Sequence, residues 1–221
     1  MTALRFRLDH IKCIEETNEV GSDEPVVLVF IGSKFIFGNK RFQGSKVVRY
    51  GPFNNTDKGE RKPAQSIPRL EPFFDTSSFA VDPSFTLEKD FKYFLYDFFI
   101  IVALIEHDAS SLNAITTEVR NSLGKIYAER TTDGQDIDTG GLIEELRSEM
   151  SRAIKRKTNN FWVNDDEIIN IKHASLDFKT GIDVISEAIQ GRPQIISFTG
   201  PSVFRGDGGK YEVHLSLIKE D

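Results

Sequence analysis

The chain has 221 residues, and its 28 lysines and arginines against 34 aspartates and glutamates give a formal net charge of −6. That length suffices for one generous domain whose core needs no disulfide or metal staple, and the negative balance argues against nucleic acid as a partner. Cys13 is the single cysteine, so no intrachain disulfide can form, which suits a cytoplasmic setting better than a secreted one.

Residues 1–7 alternate polar and apolar side chains and lack the continuous apolar run of a signal peptide. Residues 98–105 form the longest apolar stretch, far short of the ~20 residues a membrane helix needs. The expectation is a soluble protein whose membrane contact, where it exists, is peripheral.

Residues 4–14 read as a strand, with Leu4, Phe6 and Leu8 on one face. An acidic loop follows over 15–25 and closes in a turn cluster. Residues 26–31 are a β-branched run, hence a buried strand, and 35–37 and 46–50 predict two more. From 51 to 83 the prolines at 52, 63, 68, 72 and 83 exclude a long helix or a central strand. This reads as a long surface loop anchored by Phe73, Phe74 and Phe79.

Residues 99–105 predict a central strand, and 91–98 precede it with spacing that fits a strand or a helical turn. After Asp108 the period changes. Leu112, Ile115, Val119, Leu123 and Ile126 recur at helical steps, with Ser110 and Ser111 as candidate caps. A polar turn over 131–141 leads to a second stripe of Leu142, Ile143, Leu146, Met150, Ala153 and Ile154. The pair forms an α-helical hairpin, longer than ordinary connections and therefore an insertion over 109–160. Strands return at 168–171, 194–198 and 211–218, the last fed by the turn Gly206-Asp207-Gly208-Gly209. The fold class is all-β with a helical insertion: one domain over 1–221, an antiparallel β-sandwich carrying the hairpin in an end loop.

Carboxylates cluster at three strand ends: in the loop 15–24, in Glu106-His107-Asp108, and in Asn164-Asp165-Asp166-Glu167. Loops at one end of a sandwich can converge. Carboxylates brought together repel unless a cation sits among them. Calcium suits that role, because it takes six to eight hard oxygens from flexible loops.

These residues also resemble a family. Glu19-Val20-Gly21-Ser22-Asp23-Glu24-Pro25-Val26-Val27-Leu28-Val29 is similar to the G-x-S-D-P-Y-V-x-V stretch of C2 domains, with Glu24 inserted before the proline. Val102-Ala103-Leu104-Ile105-Glu106-His107-Asp108 resembles their strand ending in D-x-D, with Glu106 for the first aspartate. Asn164-Asp165-Asp166-Glu167-Ile168-Ile169 resembles the N-D-x-[IL]-G that closes the same loop, with Ile169 where glycine is usual. Residues 210–217 stand where the last C2 strand would be. The resemblance covers most of the chain outside the hairpin and the proline-rich loop. It implies a C2-like β-sandwich with calcium ligands at Asp23, then Asp108 and Glu106, then Asp166 and Asp165, with Asn18 or Glu19 completing the first loop. It also implies calcium-dependent contact with an anionic phospholipid surface or a protein partner.

Beside this set in sequence lie Arg147, Arg152, Lys155, Arg156 and Lys157, followed by Phe161 and Trp162. Cations with adjacent rings suit an anionic lipid interface. They equally suit a helix C-terminus whose dipole they complement. A second class of function is a toxin-like or structural β-sandwich whose amphipathic hairpin mediates oligomerisation or membrane interaction. An enzyme is the weakest option. Asp133, Asp136 and Asp138 hint at an EF-hand, but its twelfth position is Arg147. No G-x-S-x-G, P-loop or dinucleotide fingerprint is present. His10 and His214 read as ordinary strand-face residues, and Cys13 as core.

Overall fold

A computed structural model describes residues 3–17, 23–37, 40–63, 74–75, 95–107, 111–132, 139–158, 167–176, 194–196, 202–206 and 208–219. In chain order the elements are β1 (Ala3–Glu15), β2 (Val26–Phe37), β3 (Lys40–Tyr50), β4 (Arg61–Pro63), β5 (Phe74–Asp75), β6 (Leu95–Glu106), α1 (Leu112–Thr132), α2 (Thr139–Thr158), β7 (Glu167–Leu176), β8 (Gln194–Ile196), β9 (Val203–Gly206) and β10 (Gly209–Lys219). They form two antiparallel sheets and a helical hairpin. One sheet has the order β3-β2-β6-β7. The other has the order β4-β1-β10-β8, with β5 added to β1 and β9 to β10.

The unbroken apolar runs of β2 and β6 follow from burial on both faces. Val26, Leu28 and Phe30 of β2, Val47 of β3, and Phe99, Ile101, Ala103 and Ile105 of β6 share one face and one core with the helices. From the helices come Ile115, Val119, Leu123 and Tyr127 on α1 and Leu142, Ile143, Leu146, Met150, Ala153 and Ile154 on α2. At its centre the rings of Phe30, Phe99 and Tyr127 lie 6.1–6.2 Å apart, tilted or edge-on as ring quadrupoles prefer. The alternate residues Val27, Val29, Ile31, Ile100, Val102 and Leu104 are equally buried. Strand alternation turns them the other way, toward the second sheet, whose buried residues include Leu8, Ile11, Cys13, Tyr211, Val213 and Leu215. The layers are therefore helices, sheet, sheet.

The expected helices both form, and α1 begins where Ser111 Oγ accepts the Ala114 N–H at 3.4 Å and the Ser111 carbonyl accepts the Ile115 N–H at 3.0 Å. Ser110 lies outside the described residues. The hairpin is more than an end-loop appendage: it connects the neighbouring strands β6 and β7 and folds back over their sheet. Its apolar stripe packs into the interior against that sheet. Among the described residues no helix is long and apolar enough to cross a membrane.

Three expectations on the strands need correction. Residues 26–31 and 35–37 are one strand, not two. A Cβ at Gly32, between the two expected strands, would sit 2.6 Å from the Phe99 ring, so the glycine makes room for the opposite aromatic. Strand β3 starts at Lys40, six residues before the apolar run, because it completes a long hairpin with β2. Short strands β4 and β5 arise inside the region read as loop, both added to β1. Phe74 lies in β5, while Phe73 and Phe79 fall outside the described residues.

Strand β9 was not anticipated, and it joins the two sheets. It pairs with β10, yet Asn170 Nδ2 on β7 donates to its Arg205 carbonyl at 2.8 Å. Gly206 approaches β7 so closely that a Cβ would lie 1.9 Å from the Ile169 carbonyl oxygen. Backbone meets backbone there, so no side chain can swing aside. Gly206→Ala is expected to cost about 2–3 kcal/mol, read as a lower urea midpoint at unchanged slope. An unchanged midpoint would mean that the sheets do not meet at this point.

Candidate functional site

Antiparallel pairing decides which connections share a rim. The register partners Glu15 and Lys210, Val26 and Ile105, and Glu106 and Glu167 place the end of β1, the starts of β2, β7 and β10, and the end of β6 at ends of their sheets that adjoin. Two contacts tie these ends together. The Glu24 N–H donates to Glu106 Oε1 at 2.9 Å. The Asp23 carboxylate bridges the two sheets: Thr17 donates to it through its N–H at 2.9 Å and its hydroxyl at 2.7 Å, and the Tyr211 hydroxyl donates to Oδ2.

Asp23 is 2 % exposed. Its carboxylate is turned inward and already accepts three protein hydrogen bonds. Its backbone carbonyl accepts a fourth, from Thr56 N–H at 2.9 Å. Asp23, expected to head a ligand set, thus binds Thr17 and Tyr211 of β10 through its side chain and the segment after β3 through its backbone carbonyl. Such buried polar groups keep their place because an unmade hydrogen bond there is costly.

Segment 51–63 runs over this rim. Phe53 N–H donates to the Pro25 carbonyl, Gly59 N–H to the Cys13 carbonyl, and Cys13 N–H to the Glu60 carbonyl, all within 2.9–3.1 Å. Lys58 N–H reaches the Glu16 carboxylate. Beneath it Cys13 is buried, and its thiol is pushed up to about 12 by burial first and then by Asp23, Glu16, Asp57 and Glu60. It therefore stays a protonated core thiol at neutral pH.

Of the remaining expected ligands, Glu106 is buried at this rim. Asn18, Glu19, Asp108, Asp165 and Asp166 lie outside the described residues. Among the described residues no three histidine, cysteine or carboxylate side chains are placed to hold a metal ion.

The basic cluster has a different outcome. Arg156 on α2 bonds Glu118 of α1 at 2.9 Å, Glu149 at 2.8 Å and Ser122 at 2.9 Å. Arg152 pairs with Glu149 at 3.0 Å, and Lys157 with Glu118 at 3.6 Å. The Arg156 guanidinium holds the Glu118 carboxyl below its usual range. Arg156 and Lys157 thus fasten α2 to α1 through Glu118, while Arg152 pairs with Glu149 within α2. Lys155 is exposed on the same helix. Phe161 and Trp162 lie outside the described residues.

Sequence reasoning missed one arrangement altogether. His10 and His214 are register partners whose rings stack at 4.2 Å with 17° between planes. Leu8 and Ile11 are both wholly buried, so two polar residues stand between inward-facing ones. That slip in alternation is the sequence sign of a β-bulge, and it was there to be read. No family model, curated protein or solved structure matches this chain.

Proposed function

We propose that this chain is a C2-like binding module that contacts an anionic surface through calcium held at the acidic rim. The hydrogen bond from Glu24 N–H to Glu106 Oε1 carries this reading, because it joins two of the three acidic segments while the partnership of Glu106 with Glu167 adjoins the third. Asp108 follows Glu106 by two residues, and Asp165 and Asp166 immediately precede Glu167. The ion would draw its ligands from these three aspartates with Asn18, Glu19 and Glu106, while Asp23 holds the rim together from beneath. Its chemistry would be charge neutralisation, with oxygens of the bound surface completing its coordination.

Calorimetric titration with calcium, with Asp108→Asn as control, tests the reading. Heat of binding is expected for the parent chain and a large loss of affinity for the variant. At a hundredfold excess of calcium over Kd the native state gains ~2.7 kcal/mol, which for a domain of this size raises Tm by about 5–10 °C. Calcium-dependent sedimentation with phosphatidylserine vesicles is the matching readout for the surface. Absence of heat together with an unmoved Tm in millimolar calcium rejects the ion and the function built on it.

A further inference from the structure

The polar face of sheet β4-β1-β10 carries a group of titratable side chains distinct from the rim. The bulge between Leu8 and His10 leaves Asp9 and His10 together between the buried Leu8 and Ile11. Asp9 is engaged there by Arg7 at 2.7 Å and by the Ser216 hydroxyl at 3.0 Å. His10 stacks on His214 of β10 and lies opposite Pro63 of β4. One row further along, Arg61 of β4, Lys12 of β1 and Glu212 of β10 are register neighbours. Glu212 Oε1 lies 3.8 Å from His214 Nε2. Lys62, the remaining cation of β4, is held by Glu60 and the Asn55 carbonyl.

The decisive contact is Arg61 Nη2 at 2.9 Å from His10 Nδ1. A guanidinium has donors only, so Nδ1 must be the acceptor, and the ring must be neutral with its proton on Nε2. An imidazolium would turn an N–H against the guanidinium and lose the bond. Strand β4 has three register partners on β1, and it continues directly from the stretch that covers the rim through Glu60, Gly59 and Thr56.

We propose that His10, stacked on His214, is an acid-sensitive latch for segment 51–63: the neutral ring holds Arg61 and keeps β4 on β1, and protonation expels Arg61 and loosens the segment over the rim.

Burial, then His214, then Arg61 hold the His10 ring below its ordinary value, against the opposing pull of Asp9 and Glu212. The unfolded chain takes up the proton at the ordinary value, 6.5. The latch therefore contributes fully above that pH and weakens as pH falls through 6.5 toward the lower folded value. His173 is also held down, by burial and then Arg147, so a global melt mixes two contributions, and the test must be local.

Hydrogen exchange at the Gly59 and Cys13 amides, corrected for intrinsic rate, supplies it. Between about pH 7.5 and about pH 5.5 protection of both amides is expected to fall about tenfold in the parent chain. In His10→Asn the amide oxygen still accepts from Arg61 but cannot titrate, so the fall should disappear. Arg61→Gln should lose protection at both pH values and raise the NMR-measured pKa of the His10 ring. An equal acid loss in His10→Asn, or a His10 ring that titrates at or above 6.5, overturns the latch. Should His10→Asn fail to fold, the ring titration of the parent chain and of Arg61→Gln decides alone.

Discussion

Replacing residues 110–160 by a short turn is expected to leave a chain that no longer folds cooperatively, not a trimmed β-sandwich. The hairpin covers Val26, Leu28, Phe30, Val47, Phe99, Ile101, Ala103 and Ile105, and each is at most 5 % exposed. Returning a large apolar side chain to water costs about 1.5–3 kcal/mol. Seven such residues together with Ala103 therefore cost roughly 10 kcal/mol or more, comparable with the 5–15 kcal/mol that holds a typical domain together. The outcome should be loss of near-UV dichroism, binding of a hydrophobic dye, and a denaturant transition without a native baseline. A soluble deletion product with a sharp transition would show that the two sheets are sufficient and that the helices are a dispensable lid.

The second large effect is at Asp23. Asp23→Ala strands the Thr17 N–H and hydroxyl and the Tyr211 hydroxyl beneath the rim. Three buried donors that lose a charged acceptor cost about 3–5 kcal/mol. Tyr211→Phe removes one donor and leaves the carboxylate its two bonds from Thr17, so about 1–2 kcal/mol is expected. Urea unfolding measures both, and the comparison in calcium and in chelator separates anchor from ligand. The Asp23→Ala loss should be of similar size in the two media. If the variant instead matches the parent in chelator and lacks only the calcium-dependent increment, Asp23 belongs to the ion after all.

Much of the fold was readable where the chain repeats itself. The runs 26–31 and 99–105 identified the two central strands, and three- and four-residue steps identified both helices. Their arrangement was not readable. A strand buried on both faces carries the same run of Val, Ile and Phe whichever layer covers it, so nothing in 26–31 says that helices lie on one side. Nor could the role of Gly32 be read, because its partner, the Phe99 ring, is remote in sequence. The carboxylates were visible as residue types at strand ends, and antiparallel pairing accounts for the partnership of Glu106 with Glu167. The inward turn of Asp23 was not visible, since Tyr211 comes from the last strand. The basic run 152–157 resembled a binding face because its partner Glu118 lies on the other helix, although Glu149 stands only three residues before Arg152. His10 differs: the spacing from Leu8 to Ile11 held the information, and only the identity of its partner required the three-dimensional register.

The register of β1 with β10 sets an order of events during synthesis. Strands β2, β3, β6 and β7 and both helices come from the middle of the chain, and they can close their shared core as soon as β7 has emerged. Strand β1 precedes all of these, yet Leu4 waits for Lys219 and Phe6 for Leu217, which lie well beyond β7 along the chain. Contacts so distant along a polypeptide form slowly. The second sheet is thus expected to assemble on a finished template, with β1 finding its place after strands that follow it along the chain.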